Sequence, residues 1–271
     1  QRMLFPERRL DEIERRLTDV ESLKNDRPLR RSVRKALDLV RDIERLVGRI
    51  TVGRANPRDL GALRQSLRAM PEVQSVASTL TSSLGVKWQR VNLCTQLLER
   101  LEVALVDEPP TSDVDGGIFR LGYQDALDVL IKASTDGHAF LADLEERERA
   151  STGIQKLKVR YNKVFGYYIE VSKANLSLVP DHYVRKQTLV NAERYITPEL
   201  KDFETTVLNA DFNRKVREQE LFSELLGYHI QEVDLLRKLS ELIAETDVAS
   251  ALADLADEYR YTRPTFVQER R

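Results

Sequence analysis

The residues best suited to chemistry in this chain are cations and amides within Lys156–Leu200. Lys156, Lys158 and Arg160 alternate with Leu157, Val159 and Tyr161. In an extended strand this puts three positive groups on one face and three apolar groups on the other. Arg185, Lys186, Gln187 and Asn191 add a second polar cluster a short way along. Ammonium, guanidinium and amide groups bind phosphate oxygens, and contacts of that kind carry no sequence information. Tyr161, Tyr167 and Tyr168 lie in the same stretch, and core packing is the use their pattern favours. Proton transfer and metal chemistry find less support. His138, His182 and His229 stand far apart in sequence and lack ligand spacing with Cys94 or with each other. Neither G-x-x-x-x-G-K-[ST] nor G-x-G-x-x-G occurs. The carboxylates fall in helical surface patterns, and Glu145–Arg149 reads as a solvated charged face. No active site is legible.

The charge distribution singles out the same stretch. The chain has 271 residues and a formal net charge of −1. Residues 156–198 hold eight Lys/Arg against three acids, a balance of +5, which leaves −6 for the remainder. Charged residues make up 32% and aromatics 7%, a mixture that suits long amphipathic helices rather than a sandwich or barrel. The lone Cys94 cannot form an internal disulfide, which points to an intracellular, cytoplasmic compartment. No apolar run is long enough to span a bilayer, so no membrane partner is expected. The first residue is Gln rather than Met, consistent with a piece of a larger protein.

The elements that position these groups follow from periodicity. Leu10, Ile13, Leu17 and Val20 form one helical stripe, and Leu29, Val33 and Leu37 another. Asn56 and Pro57 read as the N-cap and first residue of a helix that Met70-Pro71 should end. A following helix should reach Gly85, and a further one should span about 89–105. Residues 107–122 read as a long structured loop with paired prolines and paired glycines. A helix of about thirty residues, ~45 Å long, should run from Tyr123 to a stop at Gly153. Strands are expected near 156–161, 167–172, 183–189 and 194–196. Thr197-Pro198 then opens the longest helix, which would extend ~65 Å if continuous to Ile243, with Gly227 a possible bend. The expected fold is mainly α: a helical bundle with two long antiparallel helices and a small antiparallel β-subdomain inserted at their tip. The expected divisions are 1–152, 153–198 and 199–271.

Two long strings, YNKVFGYYIEVSKANLSLVP (Tyr161–Pro180) and RKQTLVNAERYITPELK (Arg185–Lys201), closely resemble the clamp of the MutS family of DNA mismatch-recognition ATPases. LVGRITVGRANPRDL, DEPPTSDVDGGIFRLGY and YRYTRPTF resemble the family's core, or lever, region, so the resemblance covers essentially the whole chain. It implies that 153–198 is a clamp touching the backbone of double-stranded DNA without regard to sequence. Residues 1–152 and 199–271 would then be the core and the two lever helices that transmit the DNA-bound state. By motif position it assigns phosphate contact to Arg160, Asn162, Lys163, Arg185, Lys186, Gln187, Asn191 and Arg194. Val190 stands where some relatives have Lys. The resemblance further implies a second MutS subunit and MutL as partners of the full-length protein, ATP and Mg as its cofactors, and a bacterial, nucleoid-associated location. The mismatch-reading and ATPase domains are expected outside this chain, which is therefore expected to bind no cofactor and to be no enzyme by itself. The residues alone leave a second class open: a helical protein–protein interaction module whose basic sheet docks an acidic partner.

Overall fold

The structure, a computed structural model, describes residues 7–162 and 166–266, with backbone only at 136–139 and 229–231. It is mainly helical and divides into two compact units. One comprises the chain up to Asp113, Gly117–Phe119, and everything from Phe222 onward; the other comprises Val114–Gly116 and Arg120–Leu221.

The first unit holds helices α1 (Leu10–Asn25), α2 (Arg27–Leu37), α3 (Ile43–Thr51), α4 (Pro57–Ala77), α5 (Ser83–Arg90), α6 (Thr95–Ala104) and α9 (Val233–Glu258). Three of their starts, those of α2, α3 and α4, carry side-chain caps. Asp26 and Asp42 accept from the amides of Leu29 and Arg45, each at 2.9 Å. Asn56 and Asp59 form a reciprocal capping box before Pro57, which stabilises a helix start by about 1 kcal/mol. Leu23, Leu46, Ile50, Leu60, Leu63, Met70 and Leu101 are fully buried. Trp88 joins them, and its indole N–H donates to Thr246 Oγ1 of α9 at 2.8 Å, so the polar edge of the largest core side chain is satisfied. Buried Arg64 donates to the carbonyls of Leu105, Val106 and Asp107, each at 2.8 Å, and this fixes the start of the long loop.

Several boundaries differ from the sequence reading. The helix expected to end at Pro71 continues to Ala77 with Pro71 inside it. Proline forfeits one backbone bond, but Leu63, Leu67, Met70, Val73 and Ala77 form one uninterrupted buried face, and their burial outweighs that loss. The helix expected to reach Gly85 stops at Ala77, and a new one begins at Ser83. Gly85 is required there: a Cβ would lie 2.0 Å from the Leu80 carbonyl oxygen. The helix expected over about 89–105 starts at Thr95, after Cys94 in the left-handed region, φ 55. The long helix opening at Pro198 ends at Gln231 rather than Ile243, and α9 runs unbroken from Val233 to Glu258. The break falls at Glu232, φ −96 and ψ 3, not at Gly227.

The second unit holds α7 (Asp125–Thr152), strands β1 (Lys158–Asn162), β2 (Gly166–Ser172), β3 (Val184–Thr188) and β4 (Ala192–Ile196), a 3-10 helix (Lys173–Leu178), and α8 (Pro198–Gln231) up to Leu221. Gly153, φ +72, closes α7, and Thr197 Oγ1 accepts the Leu200 amide at 3.2 Å to open α8. The two helices are antiparallel: Arg147 meets Glu199, Phe140 stacks on Phe203, and Gln124 meets Arg217. The sheet is antiparallel throughout, in the order β1-β2-β4-β3. Its back face buries Ile169, Val171 and Tyr195 against Leu144, Ile154, Leu157, Tyr183 and Leu200. Among the described residues no helix is long and apolar enough to cross a membrane.

Candidate functional site

The sheet is held to the end of α7 by charged side chains that the sequence reading placed in solvent. Glu145 Oε2 accepts the Val159 amide of edge strand β1 at 2.8 Å, and Arg149 Nε donates to the Leu157 carbonyl at 2.8 Å. The Tyr183 hydroxyl donates to Glu148 Oε2 at 2.6 Å. An edge strand presents unpaired backbone groups, and two members of the Glu145–Arg149 run satisfy them. These residues therefore belong to the sheet's support, while Glu146 and Arg147 stay exposed. Burial and the bond to Glu148 raise the Tyr183 phenol well above its ordinary pKa. Tyr195, buried and donating to Glu193 at 2.5 Å, is pushed up to about 12 by burial first and Glu193 second. Gly166, φ +74, opens β2 in the left-handed region that favours glycine, beside the carboxylate end of the Glu204 side chain of α8.

Cross-strand register sorts the cations by face, because directly opposed residues share one. One row runs Lys158–Glu170–Arg194–Gln187 across all four strands, and a second places Arg160 opposite Tyr168. This is the front. The back row is Val159–Ile169–Tyr195–Arg185. The register shifts between Arg185 and Gln187, leaving Lys186 as the unpaired extra residue of a bulge.

The assigned residues thus divide into groups. Arg160, Asn162, Gln187 and Arg194 occupy front-face positions, with Arg160 exposed and Asn162 half-buried. Arg194 is committed within the sheet: it donates to Gln187 Oε1 at 2.8 Å, pairs with Glu170 at 3.5 Å, and lies over the Tyr168 ring at 4.3 Å. Arg185 is on the back face, with its guanidinium 3.5 Å from Glu193. Lys186 is exposed on the bulge, and Asn191 is exposed in the β3–β4 turn. Lys163 lies outside the described residues. Lys158, which the motif comparison left out of the contact set, is exposed in the same front face as Arg160. The alternation of Lys156–Tyr161 was its signal. Lys158, Arg160 and Lys186 make no ion pair among the described residues, so their charge is the part of the sheet available to an anion. The tyrosines serve packing: Tyr168 is buried, and Tyr161, Tyr167, Phe203 and Phe140 form a continuous aromatic series from β1 to α7.

No cluster of three or more His, Cys, Asp or Glu among the described residues could hold a metal ion. The sequence contains no G-x-x-x-x-G-K-[ST] phosphate-binding loop.

Residues 122–212 match the model of MutS family domain IV. The chain is 46% identical over 260 residues to a DNA mismatch repair protein MutS of Brevibacillus brevis, covering 95% of this chain and 30% of that protein. It is 46% identical over 261 residues to the protein of that name from Geobacillus kaustophilus, covering 96% of this chain and 29% of the relative. With that from Methanococcoides burtonii it shares 40% identity over 272 residues, 98% of this chain and 31% of the relative. The chain belongs to the MutS family and spans about 30% of the length of the relatives it matches.

Proposed function

We propose that this chain serves DNA mismatch repair by holding the phosphate backbone of duplex DNA on the front of its sheet, without reading sequence. The observation that carries this is the set of exposed cations Lys158, Arg160 and Lys186, which make no ion pair among the described residues. Their companions have other duties: Arg194 braces the front face and Arg185 faces Glu193. Ammonium and guanidinium groups presented on a flat sheet suit phosphate oxygens, whereas base reading would need an element inserted in a groove. We take residues 153–198 as the clamp, and Asn162, Gln187 and Asn191 as amide contacts beside the cations.

The same reading gives the helices a role. Glu145, Glu148 and Arg149 on α7 and Thr197 at the start of α8 tie the sheet to both helices of its unit. A displacement of the sheet on DNA binding is thereby passed to α7 and α8. ATP hydrolysis with Mg, mismatch reading, pairing with a second MutS subunit and engagement of MutL are assigned to the longer family proteins, and this chain alone turns over no ATP.

The test is duplex binding by the 271-residue chain and by the double variant Arg160→Glu, Lys186→Glu. The expected result is loss of binding with the helical circular dichroism signal kept. Duplex affinity equal to that of the parent would refute the clamp assignment. Capture of an acidic protein in place of duplex would favour an acidic-partner module instead.

A further inference from the structure

A separate feature belongs to the first unit, which holds none of the residues assigned above to phosphate contact. Between neighbouring helices α3 and α9 lies an open groove of about 940 Å³, within the set formed by Glu44, Gly48, Val52, Glu241, Ala244 and Val248 among its lining residues. Val52 and Val248 are exposed, 64% and 41%, so apolar surface remains in water here. Gly48 sits inside α3, yet a Cβ at that position would meet nothing within 4 Å. Glycine is among the poorest helix formers, and neither positive φ nor internal crowding requires it here. A local cost with no compensation inside the chain marks an external constraint. Together with Ala244 on the facing helix, Gly48 lets a third backbone come close.

The charges define what fits. Glu44 and Glu241 are exposed at the groove and make no ion pair among the described residues. Glu245, by contrast, is taken by Lys87 at 2.6 Å, and Arg237 leans toward Asp234 at 3.7 Å. The uncompensated charge at the groove is negative. We infer that the α3–α9 groove docks an amphipathic helix that lays an apolar ridge over Gly48 and Ala244 and brings Lys or Arg to Glu44 and Glu241. Helix-in-groove recognition of this kind takes its affinity from the apolar ridge and its selectivity from the flanking charges.

The probe is a fluorescein-labelled amphipathic peptide of leucine and lysine, about 14 residues long so that it can form a helix. Its control has glutamate in place of every lysine. Both are titrated into the 271-residue chain by fluorescence anisotropy. The lysine peptide is expected to bind saturably and the glutamate peptide ~tenfold or more weaker. Gly48→Leu occupies the groove without changing its charge, and its Cβ would meet no atom within 4 Å; it is expected to weaken the lysine peptide ~fivefold or more, with the melting temperature not lowered. Glu44→Gln with Glu241→Gln is expected to weaken it and to flatten its salt dependence. Equal binding of both peptides, or parent-like binding by Gly48→Leu, would overturn the inference. The Gly48→Leu arm separates groove docking from general attraction of a cationic peptide to an acidic unit. Self-association of the chain that Gly48→Leu abolishes, without peptide binding, would assign the groove to a second copy and overturn it as well.

Discussion

Replacing Tyr183 by Phe tests how firmly the sheet is fixed to α7. The ring stays, so no cavity forms; only the hydroxyl donating to Glu148 at 2.6 Å is lost. A buried hydrogen bond to a charged acceptor contributes about 2 kcal/mol at neutral pH. The pH dependence gives the prediction its signature. Burial and Glu148 raise the Tyr183 phenol in the folded protein, so the folded state keeps its proton where the unfolded state has lost it. The contribution is therefore complete below the unfolded value, ~10, and declines as the pH rises beyond it. Between the two values the gap between parent and variant should shrink by ~1.4 kcal/mol per pH unit and close near pH ~11.5. The assay is urea unfolding from neutral pH to ~11.5, followed by the near-ultraviolet circular dichroism of the tyrosines in the second unit. Trp88, the sole tryptophan, lies in the first unit, and its fluorescence serves as the control. A gap below ~0.5 kcal/mol at neutral pH, or one that does not change with pH, would refute the anchoring role.

Other perturbations separate support from contact. Arg194→Ala removes the bond to Gln187, the pair with Glu170 and the cover of Tyr168; it should cost about 2 kcal/mol in urea unfolding while leaving the salt dependence of duplex binding unchanged. Gly85→Ala drives a methyl group into the Leu80 carbonyl and should destabilise by about 2 kcal/mol or more, read as a lower urea midpoint. The Cys94 thiol is buried and pushed up to about 11 by that burial, so a thiol reagent at pH ~8 should label it only after unfolding; rapid native labelling would contradict its placement.

The parts of this molecule that were legible in its sequence are those encoded over a few residues. The alternation from Lys156 to Tyr161 announced β1 and its two faces, although the strand starts only at Lys158 and Lys156 lies in the turn before it; Asn56-Pro57 and Thr197-Pro198 announced helix starts through the chemistry of the first turn. What depended on distant partners was not legible. Pro71 reads as a breaker, yet a continuous buried face carries the helix through it. Glu232 resembles no breaker, and the long helix ends beside it. The Glu145–Arg149 run looks like a solvated face because nothing local reveals the open edge of β1 against it. At the candidate site, Arg185 and Gln187 would share a face in an unbroken strand. The bulge at Lys186 sends one to the back and the other to the front, a register change that residue types do not announce.

The central claim is that Lys158, Arg160 and Lys186 meet phosphates, and the salt dependence of duplex binding tests it most directly. Three neutralised phosphates predict a log–log slope of about −2.7, a loss of ~40-fold in affinity from ~50 to ~200 mM salt. Arg160→Gln should reduce the slope by about 0.9, so that the same change of salt costs ~12-fold. Matched and mismatched duplexes should give the same values, since contacts to phosphate read no base. A flat salt dependence in the parent, or an Arg160→Gln variant with the parent's slope, would contradict the account.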